Sequence, residues 1–151
     1  PARPVALAEV ARLAVADAVP QAQARGIDLG VPRAEPGEVH GHAEALRILM
    51  RNLLDNALKY TPEGGTVDLS VRREGASMRL VVEDSGPGIP EAERERVLDR
   101  FHRVPGTEAP GSGLGLAIVK AIAELHGAAL RLERSPRLGG LRVEVRFDAR
   151  D

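Results

Sequence analysis

Asn52, Asn56, Lys59 and Tyr60 stand in a stretch, Ala43 to Tyr60, that contains neither Gly nor Pro. On a helical wheel Asn52, Asn56 and Lys59 fall within about 60° of one another, with Tyr60 beside Asn56 on the side toward the apolar stripe. An asparagine carbonyl can ligate Mg²⁺, a hard cation that prefers oxygen and keeps phosphates and waters in its remaining positions. A lysine ammonium can pair with phosphate as a point charge. Asparagine in mid-helix costs propensity and competes with the backbone for hydrogen bonds. This edge is therefore either a solvated helix face or equipment for a nucleoside triphosphate.

Three further groups carry chemistry. Glu83-Asp84-Ser85-Gly86-Pro87-Gly88-Ile89-Pro90 follows an apolar stretch with strand character. There Asp84 is an acceptor at a strand end, and Gly86 and Gly88 let backbone approach a planar ligand, although Asp-x-Gly-x-Gly is also a common turn composition. Gly111-Ser112-Gly113-Leu114-Gly115-Leu116 precedes a helical segment, where free backbone N–H groups and the helix dipole favour an anion such as phosphate. It is not a Walker loop, since no Lys-Ser/Thr follows Gly115, nor a dinucleotide fingerprint, since a Pro-containing loop and not a strand precedes it. Between the two lies Arg100-Phe101-His102-Arg103. Phe101 is either a buried anchor beside surface residues or the hinge anchor of a lid in which Arg103 contacts phosphate. The histidines at 40, 42, 102 and 126 lack metal-ligand spacing and are read as structural or surface residues.

The elements that must position these groups follow from periodicity and breakers. A first helix is expected over Pro4–Val19, with Val5, Ala8, Leu13 and Ala16 among its apolar positions and Pro20 as its stop. Ile27–Val31, set among glycines and prolines, reads as a short strand. Leu46, Leu49, Met50, Leu53 and Ala57 mark the amphipathic helix Ala43–Tyr60, ended by Pro62, Gly64 and Gly65. Alternation over Thr66–Arg73, a turn at Gly75 and the run Met78–Glu83 predict a hairpin. Residues 84–113 form a long irregular stretch with a short helical candidate at Glu91–Leu98, a pattern expected over a functional site. A last helix is expected over Gly115–His126, stopped by Gly127, then strands at Ala128–Glu133 and Leu141–Phe147. The sum is α+β: a two-layer sandwich of about five strands in a mixed sheet covered on one face by about three helices.

Composition narrows the function classes. With 151 residues, 43% of them hydrophobic, the chain is long enough for one ordinary domain with a normal core. Aromatic residues make up only 2%, so packing rests on Leu, Val, Ile and Ala. Twenty-one Lys plus Arg against 22 Asp plus Glu leave a net charge of -1, too balanced for broad electrostatic binding of nucleic acid. The absence of cysteine excludes thiol chemistry and disulfides. No run approaches the roughly 20 apolar residues that span a bilayer.

Taken in order, Asn52-Leu-Leu-Asp-Asn56-Ala-Leu-Lys59-Tyr60-Thr-Pro, Asp84-Ser-Gly86-Pro-Gly88, Arg100-Phe101-His102-Arg103 and Gly111-Ser-Gly113-Leu-Gly115-Leu closely resemble the N, G1, F and G2 boxes of sensor histidine kinases. The resemblance runs from about His40 to Phe147 and implies the Bergerat ATP-binding fold with ATP and Mg²⁺ as ligands. By that resemblance Asn56 is the Mg²⁺ ligand, Lys59 and Arg103 contact phosphate, Tyr60 packs on adenine and Asp84 accepts its amino group. Gly86 and Gly88 lie beneath the base with Ile89 also among the nucleotide-binding residues, Asn52 belongs to the metal and phosphate environment, and Phe101, Gly111, Ser112, Gly113, Leu114, Gly115 and Leu116 belong to the lid and the phosphate-facing helix start. Asn56, Lys59 and Arg103 are then the residues expected to carry phosphoryl transfer.

Two departures stand out. His42 replaces an acidic residue of many relatives, and Gly139-Gly140 lacks the Gly-Thr of some; neither is expected to touch the ATP contacts. No histidine is followed by Glu and a Pro-containing helix turn, so the dimerisation and phosphoacceptor domain is expected to lie outside residues 1–151. The resemblance implies a cytoplasmic, monomeric catalytic domain of a dimeric kinase anchored in the bacterial inner membrane, with that phosphoacceptor domain as partner and a response regulator further on. Two alternatives remain: a related-fold ATPase or anti-sigma serine kinase, in which a Glu usually stands four residues before the metal-binding Asn, where this chain has Asn52, and a regulatory module that binds ATP without catalysis.

Overall fold

Apolar residues at three- and four-residue steps decide where the helices lie. A computed structural model describes residues 1–94 and 115–148. Its elements in order are β1 (Arg3–Ala6), α1 (Leu7–Ala24), β2 (Asp28–Gly30), β3 (Glu38–Gly41), α2 (Ala43–Tyr60), β4 (Thr66–Glu74), β5 (Ser77–Asp84), α3 (Gly115–Leu125), β6 (Ala129–Arg134) and β7 (Leu141–Phe147). α2 has the expected bounds, and it buries Leu46, Leu49, Met50, Leu53, Leu54, Ala57 and Leu58.

The main sheet has the order β2-β4-β5-β7-β6, with β2 parallel to β4 and every other pairing antiparallel. Alternation sends Val67, Leu69 and Val71, Leu80 and Val82, and Val143 and Val145 into the core. The intervening residues carry charge: Arg79 lies 2.9 Å from Glu144, which Arg142 approaches at 3.3 Å. Burial pushes the Glu144 carboxyl up, but Arg79 and Arg142 outweigh it and hold the group below the usual carboxylate range. α1 and α3 each pack against α2, so the described residues form an α+β sandwich of three helices and a mixed five-strand sheet.

The N-terminal segment differs from expectation. Arg3–Ala6 is a strand, paired antiparallel with β3 so that Val5 faces Val39, and both valines are buried. Four residues starting Arg-Pro carry too little alternation to signal a strand. α1 runs through Pro20 to Ala24. Proline removes the bond to the Ala16 carbonyl, yet Ala16 and Pro20 both lie on the exposed face, where water can take that carbonyl, while Ala18 and Ala22 stay buried and hold the helix on the core. The buried stripe is Leu7, Ala11, Ala14, Ala18 and Ala22, whereas Leu13 is 52% exposed. The true stop is Gly26, at φ 64, where Ile27 N donates to Ala22 O at 3.0 Å and Gly26 N to Gln23 O at 3.1 Å. Of the helical candidate Glu91–Leu98, Glu91–Glu93 form a short 3₁₀ turn, and the remainder lies outside the described residues beyond Arg94.

Candidate functional site

β5 is flanked by β4 and β7, and its last residue is Asp84. Only 6% of Asp84 is exposed, a burial that an ionised carboxylate tolerates only with hydrogen bonds. Gly86 N donates to its Oδ1 at 3.0 Å and Leu141 N to the same oxygen at 3.1 Å, while Gly140 N donates to its main-chain oxygen at 3.1 Å. Among the described residues Oδ2 accepts nothing. Burial pushes the Asp84 carboxyl above its ordinary value, and the two backbone donors offset this only in part.

Glycines permit the close approach around this carboxylate. A Cβ on Gly140 would collide with Asp84, and it would lie 2.8 Å from Gly86 N. A Cβ on Gly86 would lie 2.8 Å from the Tyr60 carbonyl oxygen, so the loop leaving β5 rests on the last turn of α2. Gly88, at φ 75, faces the Gly140 backbone at 3.5 Å from the position of a Cβ. Asp84, Gly86, Gly88, Gly140 and Tyr60 are thereby neighbours.

The polar edge of α2 continues this wall. Asn52, Asn56, Lys59 and Tyr60 are all half-buried. Asn52 Nδ2 donates to Ile48 O at 2.9 Å, which leaves its Oδ1 turned toward the start of α3. A Cβ on Gly115 would lie 3.1 Å from Asn56 Nδ2 and 3.5 Å from Asn52 Oδ1. Among the described residues Asn56 Nδ2 is covered yet has no hydrogen-bond partner, and Lys59 makes no ion pair. Buried polar atoms are rarely left this way, so an unpaired amide against a helix N-terminus indicates a place for a further ligand.

The structure brings together Asn52, Asn56 and Gly115 on one side, and Tyr60, Asp84, Gly86 and Gly88 on the other. Ile89 is half-buried, and its carbonyl accepts from Arg94 Nε at 3.2 Å. Leu116 is partly buried and packs against the core. Phe101, Arg103, Gly111, Ser112, Gly113 and Leu114 lie outside the described residues. Sequence reasoning missed Gly140 and Leu141, which it set apart from the site. Their contacts are made by backbone N–H groups, and the available signal was Gly139-Gly140 opening a strand that pairs with β5.

A mixed sheet under three helices, with a buried strand-end carboxylate and a glycine floor beside a polar helix edge, defines a two-layer α+β ligand-binding domain. The chain belongs to the family of histidine kinase-, DNA gyrase B- and HSP90-like ATPases, whose model matches residues 41–151. It is 40% identical over 119 residues to the swarming motility regulation sensor protein RssA of Serratia marcescens, covering 78% of this chain and 25% of that one. The chain spans a quarter or less of the length of the curated relatives it matches first. Among solved structures, a mycobacterial sensor histidine kinase MprB superposes with a TM-score of 0.85 at 34% identity, covering 99% of both chains. The ATP binding domain of PrrB from Mycobacterium tuberculosis superposes with a TM-score of 0.81 at 30% identity, covering 99% of this chain and 98% of that one.

Proposed function

We propose that this domain binds ATP together with Mg²⁺ and donates the γ-phosphoryl group to a histidine on a separate dimerisation and phosphoacceptor domain, in two-component signalling. The observation that carries the reading is the Asp84 carboxylate, held through Oδ1 by two backbone amides with Oδ2 left to accept from a base amino group. Adenine then lies on the Gly86 and Gly88 backbone with Tyr60 against it, and the triphosphate runs along α2 toward Gly115.

The donor set suits a magnesium ion that arrives with its nucleotide. The described residues hold no cluster of carboxylates and histidines able to bind a metal alone. Asn56 would hold the ion through its side-chain carbonyl Oδ1, while its covered Nδ2, unpaired among the described residues, is a donor suited to a phosphate oxygen; the remaining metal positions suit phosphate oxygens and water. Bound Mg²⁺ would neutralise charge on the β- and γ-phosphates. Lys59 is proposed to pair with a phosphate, Arg103 to do the same from the segment after Phe101, and Gly111 to Leu116 to close over the phosphates as a lid. Asn52 stands where a hydrolase would hold a water-activating Glu, and an amide is no base. The residues here therefore position and neutralise, and the acceptor histidine supplies the nucleophile.

Incubating the domain with radiolabelled MgATP and a phosphoacceptor domain from a related sensor kinase tests the reading. Label on the acceptor histidine that disappears with Asn56→Ala is expected. Tight ATP binding without transfer to any acceptor would instead favour a regulatory module.

A further inference from the structure

The turn joining β6 to β7 is tied down at both ends. Ser135 is fully buried, and its Oγ donates to Glu83 Oε2 at 2.7 Å while accepting from Leu138 N at 3.0 Å. Ser135 N donates to Gly140 O at 2.7 Å, and Gly139 N donates to Ser135 O at 2.8 Å. Arg137, with its side chain 52% exposed, bridges two strands: it meets Asp68 on β4 at 2.6 Å and Glu83 on β5 at 3.6 Å. Glu83 immediately precedes Asp84, and successive side chains of a strand point to opposite faces. The turn therefore grips the last two residues of β5 from both sides, with Ser135 and Arg137 on Glu83 and with Gly140 and Leu141 on Asp84.

We propose that Ser135 and Arg137 are positioning residues for base recognition: they fix the turn so that the Gly140 and Leu141 amides stay on Asp84, saturating Oδ1 and leaving Oδ2 to accept from an amino-bearing purine. This rests on the adenine reading of Asp84 above and adds that base specificity depends on residues that do not touch the nucleotide. The two differ in weight. An exposed ion pair contributes little on its own, and Arg137 matters because it joins two strands to the turn. Removing the Ser135 hydroxyl strands a Glu83 oxygen and the Leu138 N–H together, the more costly loss.

The test compares dissociation constants for ATP and for inosine triphosphate, which carries a carbonyl where adenine carries its amino group. The wild-type domain is measured with Ser135→Ala, Arg137→Ala and, as a control on β6 just before the turn, Arg131→Ala, whose side chain is 69% exposed and pairs with Glu133 at 3.5 Å. The preference for ATP is expected to fall about three- to tenfold in Ser135→Ala and about twofold in Arg137→Ala. It stays unchanged in Arg131→Ala, and Arg137→Lys recovers part of it. A purely structural role would lower the melting temperature and weaken both nucleotides equally, leaving the preference intact, and that result overturns the proposal. Should Ser135→Ala fail to fold, the exposed Arg137 variant decides. A wild-type domain that binds both nucleotides equally would remove the adenine reading itself. A wild-type preference that survives in both variants removes the clamp alone.

Discussion

Burial lifts the Asp84 carboxyl above its ordinary value of 3.8, and the Leu141 and Gly86 amides pull it only part of the way back. The folded chain thus holds this proton more tightly than the unfolded chain. The group's contribution to stability is fully present below the unfolded value and is lost as pH rises through the raised folded one. Ionised Asp84 is accordingly a cost to folding at neutral pH, which the proposed base contact at Oδ2 would offset. Asp84→Asn is expected to match or exceed the wild type in urea denaturation at pH 7, with the difference shrinking as the medium is acidified into the carboxylate range. ATP affinity should move the opposite way, weakening by on the order of ten- to a hundredfold in that variant because an amide NH₂ would meet the base amino group donor to donor. Affinity equal to wild type by calorimetric titration would contradict the role given to Oδ2. Asp84 was legible as the end of a strand, where the structure has it; Asp-x-Gly-x-Gly alone is a common turn composition, and its weight as a site came from the three other motifs in order along the chain. Ser135, Gly140 and Leu141 were not, since they lie more than fifty residues downstream and two of them act through backbone N–H groups that leave no side-chain signature.

α2, α3 and the β4–β5 hairpin were legible because each combines a strong period with a glycine or proline stop at its end. The turn at Gly75, with φ 59, and the stop at Gly127, with φ 63, are such marks. α1 was misread because two breakers compete, and the stronger by propensity, Pro20, stands on the solvent face where its missing N–H does least harm. Pro20→Ala is expected to raise stability by about 1–3 kcal/mol, the helix-interior penalty of proline less the entropy it removes from the unfolded chain. Gly26→Ala should lower it by about 1 kcal/mol, because the left-handed conformation there is strained for any Cβ. Denaturant midpoints check both, and a destabilising Pro20→Ala would mean that the proline holds the helix in place. The two strands β1 and β3 escaped because four residues each, one of those in β1 being proline, give no countable alternation.

At the scale of the whole molecule, the sequence pattern predicted the five strands of the main sheet and the β4–β5 hairpin, but not the order of the remaining strands. β7 inserts between β5 and β6, and β2 lies parallel to β4, so the last strand to form in sequence order borders the one that carries Asp84. That insertion places the β6–β7 turn beneath the site, which no local pattern announces. The helix layer is ordered to matching purpose, since α3 returns across α2 with Gly115 at Asn52 and Asn56. The two halves of the site therefore depend on long-range topology, and a bound nucleotide should report on all of it. ATP at a hundredfold excess over its dissociation constant is expected to stabilise the fold by about 2.7 kcal/mol, read as a concentration-dependent rise in melting temperature. The most direct measurement is calorimetric titration of ATP with and without Mg²⁺ in the wild type and in Asn56→Ala. The polar edge of α2 predicts one-to-one binding that Mg²⁺ strengthens in the wild type, with that increment lost in Asn56→Ala while the Mg²⁺-free affinity changes little. An increment of equal size in both proteins, or no binding by the wild type, would contradict it.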